Sequence, residues 1–195
     1  MREINLTTPL DEKVIRSLNI GDNIVLSGTI FTARDMMHKY LCDIEPETVS
    51  LPFDINGGVL YHCGPIVRMI NNINTVISAG PTTSERLEMY EPRMIKRFGL
   101  AAIIGKGGMG DATLDALKTQ GCVYLQTISG AGVFLADRIK RVLNVWKLDE
   151  FGEPEAMWLL EALNFPSVVT MDSKGNSLHK DILNNSARLR DEIFS

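Results

Sequence analysis

The sequence lacks most of the features that mark the large specialised classes. Its three cysteines, Cys42, Cys63 and Cys122, are an odd number at wide spacing with no C-x-x-C pair, which excludes a secreted disulfide framework. No stretch approaches the roughly 18 apolar residues of a membrane-spanning helix, so no membrane role is expected. The start, Met1-Arg2-Glu3-Ile4-Asn5, has neither the basic end nor the apolar centre of a signal peptide, and the expected compartment is the cytoplasm. Glycine and proline, 16 and 8 residues, are too few for a collagen-like or low-complexity chain. Lysine and arginine form no cluster and the net charge is -4, which leaves no basic footprint for a nucleic acid.

What is present is the composition of a globular domain, 45% apolar and 23% charged over 195 residues. A chain of this length buries roughly 70% of its unfolded surface and needs no disulfide or structural metal to fold. With no internal repeat and no linker, residues 1–195 read as one domain, with 180–195 as a polar C-terminal tail.

The pattern predicts an alternation of strands and helices. Short strands are expected around Ile4 and Leu6, at Ile24-Val25-Leu26, Val59-Leu60-Tyr61 and Thr75-Val76-Ile77, with an amphipathic turn or helix from Asp11 to Leu18 and a helical stretch from Thr32 to Leu41. Between Leu41 and Val59 the residues Pro46, Pro52, Gly57 and Gly58 predict irregular chain. Thr82-Thr83-Ser84-Glu85 fits a capping box that starts a helix to about Tyr90, and Pro92 divides it from a second helix to Phe98. Leu100–Ile104 reads as a buried strand. A helix from about Ala112 to Gln120 follows, with Asp111 as N-cap and Gly121 as C-cap. After Val123–Ile128 as a strand, 130–139 reads as a helix or turn and Val142–Trp146 as a strand. Pro154 is expected to open a helix to about Asn164, before Val168–Met171 closes the sheet. This order predicts an α/β fold with a largely parallel central sheet, and a second, partly antiparallel layer from the N-terminal third.

Three turns after strands carry the chemistry. Gly105-Lys106-Gly107-Gly108-Met109-Gly110 satisfies G-x-G-x-x-G between a strand and a helix, but no acidic residue ends the following strand to hold a ribose. It also fails as a P-loop, because five residues separate Gly99 from Gly105 and Gly107 stands where Ser or Thr would bind magnesium. Three readings stay open: a stand-alone nucleotide-binding module, a tight structural turn, and an anion site made by the helix start and Lys106. Gly80-Pro81-Thr82-Thr83-Ser84-Glu85-Arg86 is a second such turn, either a helix cap with a solvated Arg86 or a second anion site. The third, Ser27 to Asp35, ends in Arg34 next to Asp35, either a surface pair or a further cation for the same ligand.

Ligands of open α/β sheets collect at the carboxyl ends of strands. Arg34, Thr82, Thr83, Arg86 and Lys106 therefore suit a small dicarboxylate, since arginine forks grip carboxylates bidentately and lysine adds a movable charge. His38, one helical turn after Arg34, reads either as a surface histidine or as a group facing the same cleft. The cysteines read as small buried residues.

Ser27-Gly28 with Thr32-Ala33-Arg34-Asp35 and His38-Lys39, Tyr61-His62-Cys63-Gly64-Pro65, Ser78 to Arg86, Gly105 to Met109, Pro154 to Trp158 and Phe165-Pro166 to Asp172 together resemble the class I, iron-sulfur-dependent fumarate hydratases. The resemblance covers roughly residues 21–178, which match the C-terminal domain of single-chain enzymes or the separate β subunit of two-chain enzymes. L-tartrate dehydratase β subunits look alike, and a chain that begins at Met1 looks like the separate subunit.

The resemblance implies a swivelling β/β/α domain of three layers and reversible hydration of fumarate to (S)-malate. It also implies a [4Fe-4S] cluster on the cysteines of an α subunit, so that Cys42, Cys63 and Cys122 are no ligands and this chain holds no metal, within a higher-order heteromer. Arg34, Arg86 and Lys106 then look like the substrate-carboxylate contacts, with Thr82 and Thr83 beside the reacting carbons and Asp35 and His38 supporting Arg34. Thr82 is the base that the family suggests. An ordinary hydroxyl is too weakly acidic for that role at pH 7 without a partner carboxylate or a cationic field.

Overall fold

A computed structural model describes residues 3–45 and 50–194. Met1 and Arg2, read above for a leader, Pro46 of the expected irregular stretch, and Ser195 of the expected tail lie outside the described residues.

The fold is a mixed α/β arrangement around one sheet of mostly parallel strands. β1 (Glu3–Thr7) pairs in parallel with β2 (Asn23–Thr32) across α1 (Glu12–Ser17), whose start is capped by Asp11 through the amides of Lys13 and Val14. α2 (Asp35–Asp43) leads to β3 (Val59–Tyr61), and β4 (Ile66–Ile70) and β5 (Ile73–Ser78) form a separate hairpin. The hairpin turns on Asn71 and Asn72, both at positive φ, as a two-residue loop of right-handed twist requires. A 3-10 turn (Ser84–Leu87), α3 (Glu91–Phe98), β6 (Ala102–Gly105), α4 (Asp111–Gln120), β7 (Val123–Gln126) and α5 (Gly132–Ala136) follow. β8 (Ile139–Trp146), α6 (Leu148–Phe151), β9 (Met157–Met171) and α7 (Leu178–Phe194) complete the order.

β2, β3, β6 and β7 run parallel as neighbours, so their carboxyl ends share one edge. β9 runs antiparallel to β2, β7 and β8, and by pairing with both β2 and β7 it closes a circuit through β2, β3, β6, β7 and β9.

Strand alternation sorts side chains into two cores. Val59 and Tyr61 of β3, Ala102 and Ile104 of β6, and Val123 and Leu125 of β7 join one cluster with the buried residues of the hairpin. Leu60, Ile103 and Tyr124, from the same strands, face the other way against Met37, Leu41, Met94, Ile95, Leu114 and Leu117 of α2, α3 and α4. No helix among the described residues is long and apolar enough to cross a membrane.

Several local expectations are corrected. The helix expected from Pro154 to Asn164 is, from Met157 on, the first half of β9, because hydrogen bonding to β2 on one edge and β8 on the other, with largely alternating burial on its faces, overrides the helical preference of Met, Ala, Leu and Glu. The segment from Ser27, read as a turn, continues β2 with a bulge at Gly28, whose φ is +101°. The N-terminal strands join the main sheet in parallel, so the antiparallel part comes from the β4–β5 hairpin and from β9. The capping box does not form: Thr83 makes no capping hydrogen bond, the turn is a short 3-10 turn, and Pro92 sits in the first turn of α3, where its missing N–H costs nothing. Gly110, not Asp111, is the N-cap of α4, while Gly121 closes it in the left-handed conformation as expected.

Candidate anion site at the strand carboxyl ends

Arg34 follows the end of β2 as the N-cap of α2, and Lys106 follows the end of β6. The loop from Pro81 to Arg86 comes from the hairpin but is laced between these exits. The Thr82 amide donates to the His62 carbonyl at 2.7 Å, Cys63 bridges Pro81, Thr83 bridges Lys106, and the Ser84 amide donates to the Lys106 carbonyl at 3.1 Å. The three turns singled out in the sequence are therefore brought to one edge.

Asp35 ties the two arginines together. Its Oδ2 lies 3.2 Å from Arg86 Nη2 and 3.9 Å from Arg34 Nη2. Arg86 Nη2 also donates to Thr82 Oγ1 at 2.8 Å, so that hydroxyl already sits beside a cation. Arg34 Nε lies 3.4 Å from Glu155 Oε1, and Glu155 Oε2 accepts from the Met36 amide at the start of α2. The Arg34 side chain crosses Gly64, where a Cβ would stand 2.9 Å from Nη1 and 2.5 Å from the Pro154 carbonyl; only glycine fits there. Thr83 is exposed, and among the described residues the Lys106 ammonium has no ion-pair or hydrogen-bond partner.

The glycine run offers less than its pattern promises. Glu88 fills the start of α4: its carboxylate accepts from the Gly110 amide at 2.7 Å, the Thr113 amide at 3.0 Å and the Thr113 hydroxyl at 2.7 Å. Two N–H groups at the helix start, those of Gly110 and Thr113, are thus taken by the chain's own carboxylate, which places a negative charge where a phosphate would sit. Lys106 is left as the cation of that turn.

Beneath the rim lies a set of wholly buried polar residues. His38 is among them and not at the surface: its Nδ1 lies 2.8 Å from the Arg34 carbonyl and its Nε2 3.1 Å from Glu91 Oε2. His62 Nε2 meets the same Glu91 oxygen at 2.9 Å, and its Nδ1 meets Ser84 Oγ at 2.9 Å, which accepts from the Tyr124 hydroxyl at 2.8 Å. Burial works to raise the pKa of Glu91, but the two imidazoles outweigh it and hold the carboxyl at about 2. Burial holds His62 below the ordinary imidazole value despite Glu91. Gly105 has no side chain because a Cβ there would collide with Ser84 Oγ and stand 2.8 Å from the Tyr124 hydroxyl.

Of these residues sequence reasoning named only His38. His62 and Glu91 were missed as functional residues; a buried acid ahead of Pro92 is indistinguishable in sequence from an ordinary acidic first turn of a helix. His38, His62 and Glu91 bring three ligand atoms within 4.8 Å of one another, and the two ring nitrogens share one Glu91 oxygen at hydrogen-bond distance. The cysteines do not fit an iron-sulfur cluster. Cys63 and Cys122 lie in opposite cores, burial pushes Cys63 up to about 12 and Cys122 well above its ordinary value, and Cys42 is also raised by burial.

Residues 1–182 match the family model for the fumarase C-terminus. The chain is 48% identical over 199 residues to a protein of Geobacillus stearothermophilus assigned as a class I fumarate hydratase; the match covers all of this chain and 38% of that protein. It is 42% identical over 174 residues to a protein of Methanocaldococcus jannaschii assigned as an L(+)-tartrate dehydratase β subunit, covering 89% of each. With the L(+)-tartrate dehydratase β subunit of Escherichia coli K12 it shares 34% identity over 190 residues, 96% of this chain and 92% of that one. The chain thus spans little more than a third of the first relative and nearly all of the other two.

Proposed function

Because this chain belongs to the fumarase C-terminus family, we propose that it is the β subunit of a heteromeric hydro-lyase that interconverts fumarate and (S)-malate, a step of the tricarboxylic acid cycle. In this reading residues 1–195 form one swivelling β/β/α domain in three layers, with 180–195 as its polar tail, at work in the cytoplasm. An α subunit carries a [4Fe-4S] cluster, since the cysteines of this chain do not suit one, and the two assemble into a higher-order heteromer.

The observation that carries the reading is the arginine pair on one carboxylate. Arg34 and Arg86 both reach Asp35, and Arg86 also holds the Thr82 hydroxyl, on a loop bonded to the exit that bears Lys106. A free dicarboxylate offers the same ligand type as Asp35, at higher charge, and displaces it from two forks at once. Arg34 and Arg86 then hold the substrate and Lys106 supplies the third charge, with Thr83 beside it.

Hydration adds the oxygen of water to one alkene carbon and a proton to its neighbour. In reverse, the C–H next to a carboxylate loses its proton and hydroxide leaves the adjoining carbon. Negative charge gathers on that carboxylate as an enediolate, and the fixed guanidinium and ammonium groups stabilise it where it develops. Thr82 is the proposed base. The Arg86 N–H on its Oγ1 stabilises the alkoxide form, which answers in part the weak acidity of a free hydroxyl.

The names of the Methanocaldococcus and Escherichia relatives support a second reading, in which the substrate is L-tartrate and the product oxaloacetate. One experiment decides among the readings. The tagged chain is purified anaerobically from its native cell, and the co-eluting protein, iron-sulfur absorbance, fumarate hydration and tartrate dehydration are recorded together. A cysteine-bearing partner with malate formation is the expected result; tartrate turnover alone selects the second reading. A chain that elutes alone, without iron and without either activity, sinks both.

A further inference from the structure

The rim and the buried residues beneath it are joined by one hydrogen-bonded chain. A carbonyl oxygen only accepts, so His38 Nδ1 carries a proton toward Arg34 O at 2.8 Å. At the other end the Glu91 carboxylate only accepts, so His62 carries its proton on Nε2; burial disfavours a second proton on that ring, which leaves Nδ1 to accept from the Ser84 hydroxyl, whose oxygen in turn accepts from Tyr124. Both imidazoles therefore converge on Oε2 of Glu91, while Oε1 has no hydrogen-bond partner among the described residues.

The ends of this chain are the two arginine-bearing segments. His38 grips the backbone of Arg34 itself, His62 receives the Thr82 amide on its carbonyl, and Ser84 lies between Thr82 and Arg86. Among the described residues no backbone hydrogen bond joins these segments directly; each is bonded to β3 or its exit, through the Ala33 amide on the Tyr61 carbonyl and the Thr82 amide on the His62 carbonyl, and beneath the exposed Arg86–Asp35 contact the side chains of His38, Glu91, His62 and Ser84 connect them. All four are fully buried, so the connection is not loosened by solvent exchange.

We propose that Glu91 is a positioning residue for the candidate site: by holding His38 and His62 at once, it sets the Arg34 segment and the Thr82–Arg86 loop at the spacing that lets both guanidinium groups grip one dicarboxylate. This rests on the dicarboxylate reading above and adds to it the residue that sets the span. Glu91 touches no ligand; it acts through the two imidazoles. A group that only satisfied the core would affect every ligand alike, whereas a group that sets the span between two cations affects ligands that reach both.

The test compares a two-ended with a one-ended ligand in the assembled protein. Glu91→Leu keeps the volume and removes the acceptor. Inhibition by succinate is expected to weaken about tenfold or more, the equivalent of about 1.4 kcal/mol, while inhibition by butyrate stays within about twofold. Ser84→Ala, which cuts the chain at its other end without removing a charge, is expected to weaken succinate by about threefold in the same selective way. It decides the matter if Glu91→Leu does not fold. Folded variants that leave succinate binding unchanged, or weaken succinate and butyrate equally, overturn the positioning role. A wild-type protein that does not bind succinate sinks the dicarboxylate reading itself, so the two failures are distinguishable.

A second readout needs no substrate. The full chain has three histidines, and imidazole nitrogen spectra of the ¹⁵N-labelled protein are expected to show His62 as the Nε2–H form, switching to Nδ1–H in Glu91→Leu. A His62 protonated at Nδ1 in the wild type overturns the wiring.

Discussion

Two carboxylates in this molecule each stand between two basic side chains, and they differ in almost everything else. Asp35 bridges Arg34 and Arg86 at 3.9 and 3.2 Å with 42% of its side chain exposed. Glu91 bridges His38 and His62 at 3.1 and 2.9 Å with none of it exposed. An exposed pair of charges is worth about 0–1 kcal/mol, because water competes for both partners. A buried one can be broken only at a cost of about 3–5 kcal/mol, because what remains has nowhere to turn. In the proposed reading the outer bridge is a placeholder that an incoming carboxylate replaces, and the inner bridge is the fixture that holds the placeholder's arginines in position.

The comparison is broken most directly at the rim. Arg86→Ala or Lys106→Ala in the assembled enzyme is expected to lower kcat/KM about 10²–10³-fold, the usual loss when one preorganised donor is removed from developing charge. The melting temperature of this subunit should hardly move, and near-normal kinetics in either variant would contradict the site assignment.

Next in size comes the inner bridge. Glu91→Ala is expected to destabilise the full chain by about 3 kcal/mol in urea unfolding, since both imidazoles lose their shared acceptor. A loss below about 1 kcal/mol would put Glu91 in the same class as Asp35.

Acid sharpens the contrast. Burial keeps His62 below its ordinary value of 6.5, so the unfolded chain takes up that proton first as the pH falls. Burial opposes the ionised form of Glu91, but its imidazole partners hold it at about 2 against an ordinary 4.5, so its contribution is complete above 4.5 and is lost toward 2. Both groups bind fewer protons folded than unfolded. The melting temperature is therefore expected to fall steadily from pH 7 to pH 4, and a rise over that interval would reverse the assignment.

The smallest effect belongs to Asp35→Asn. Stability should change by less than about 1 kcal/mol, while binding of a dicarboxylate tightens by about threefold because a competing anion has gone. Weaker binding in a folded Asp35→Asn protein would mean that Asp35 orients the arginines and is not displaced.

Much of the frame was legible in sequence because its signals are local. Asp11 caps α1, Gly121 ends α4, and the apolar runs at Val59, Ala102 and Val123 are strands, each decided within a few residues. β4 was invisible for the opposite reason: its residues are mostly exposed around Arg68, so it carries no burial pattern to read. β9 was misread because its composition favours a helix, and only its place between β2 on one edge and β8 and β7 on the other makes extended chain the better arrangement.

At the site, Arg34, Thr82, Arg86 and Lys106 stood out as polar residues just past apolar strands, a pattern that sequence displays. His62, Ser84 and Glu88 did not, because what marks them is a partner far along the chain.

The sequence by itself determined the family, the alternation of strands and helices, and the cations that end the strands, since each rests on neighbours in the chain. Only the tertiary structure decided which carboxylate meets which cation. Glu91 lies 29 residues from His62 and 53 from His38, and Glu88 reaches 22 residues to cap α4, distances over which no local rule chooses a partner. Those choices were made by the parallel sheet, which brings the ends of β2, β3 and β6 to one edge and buries what lies beneath them.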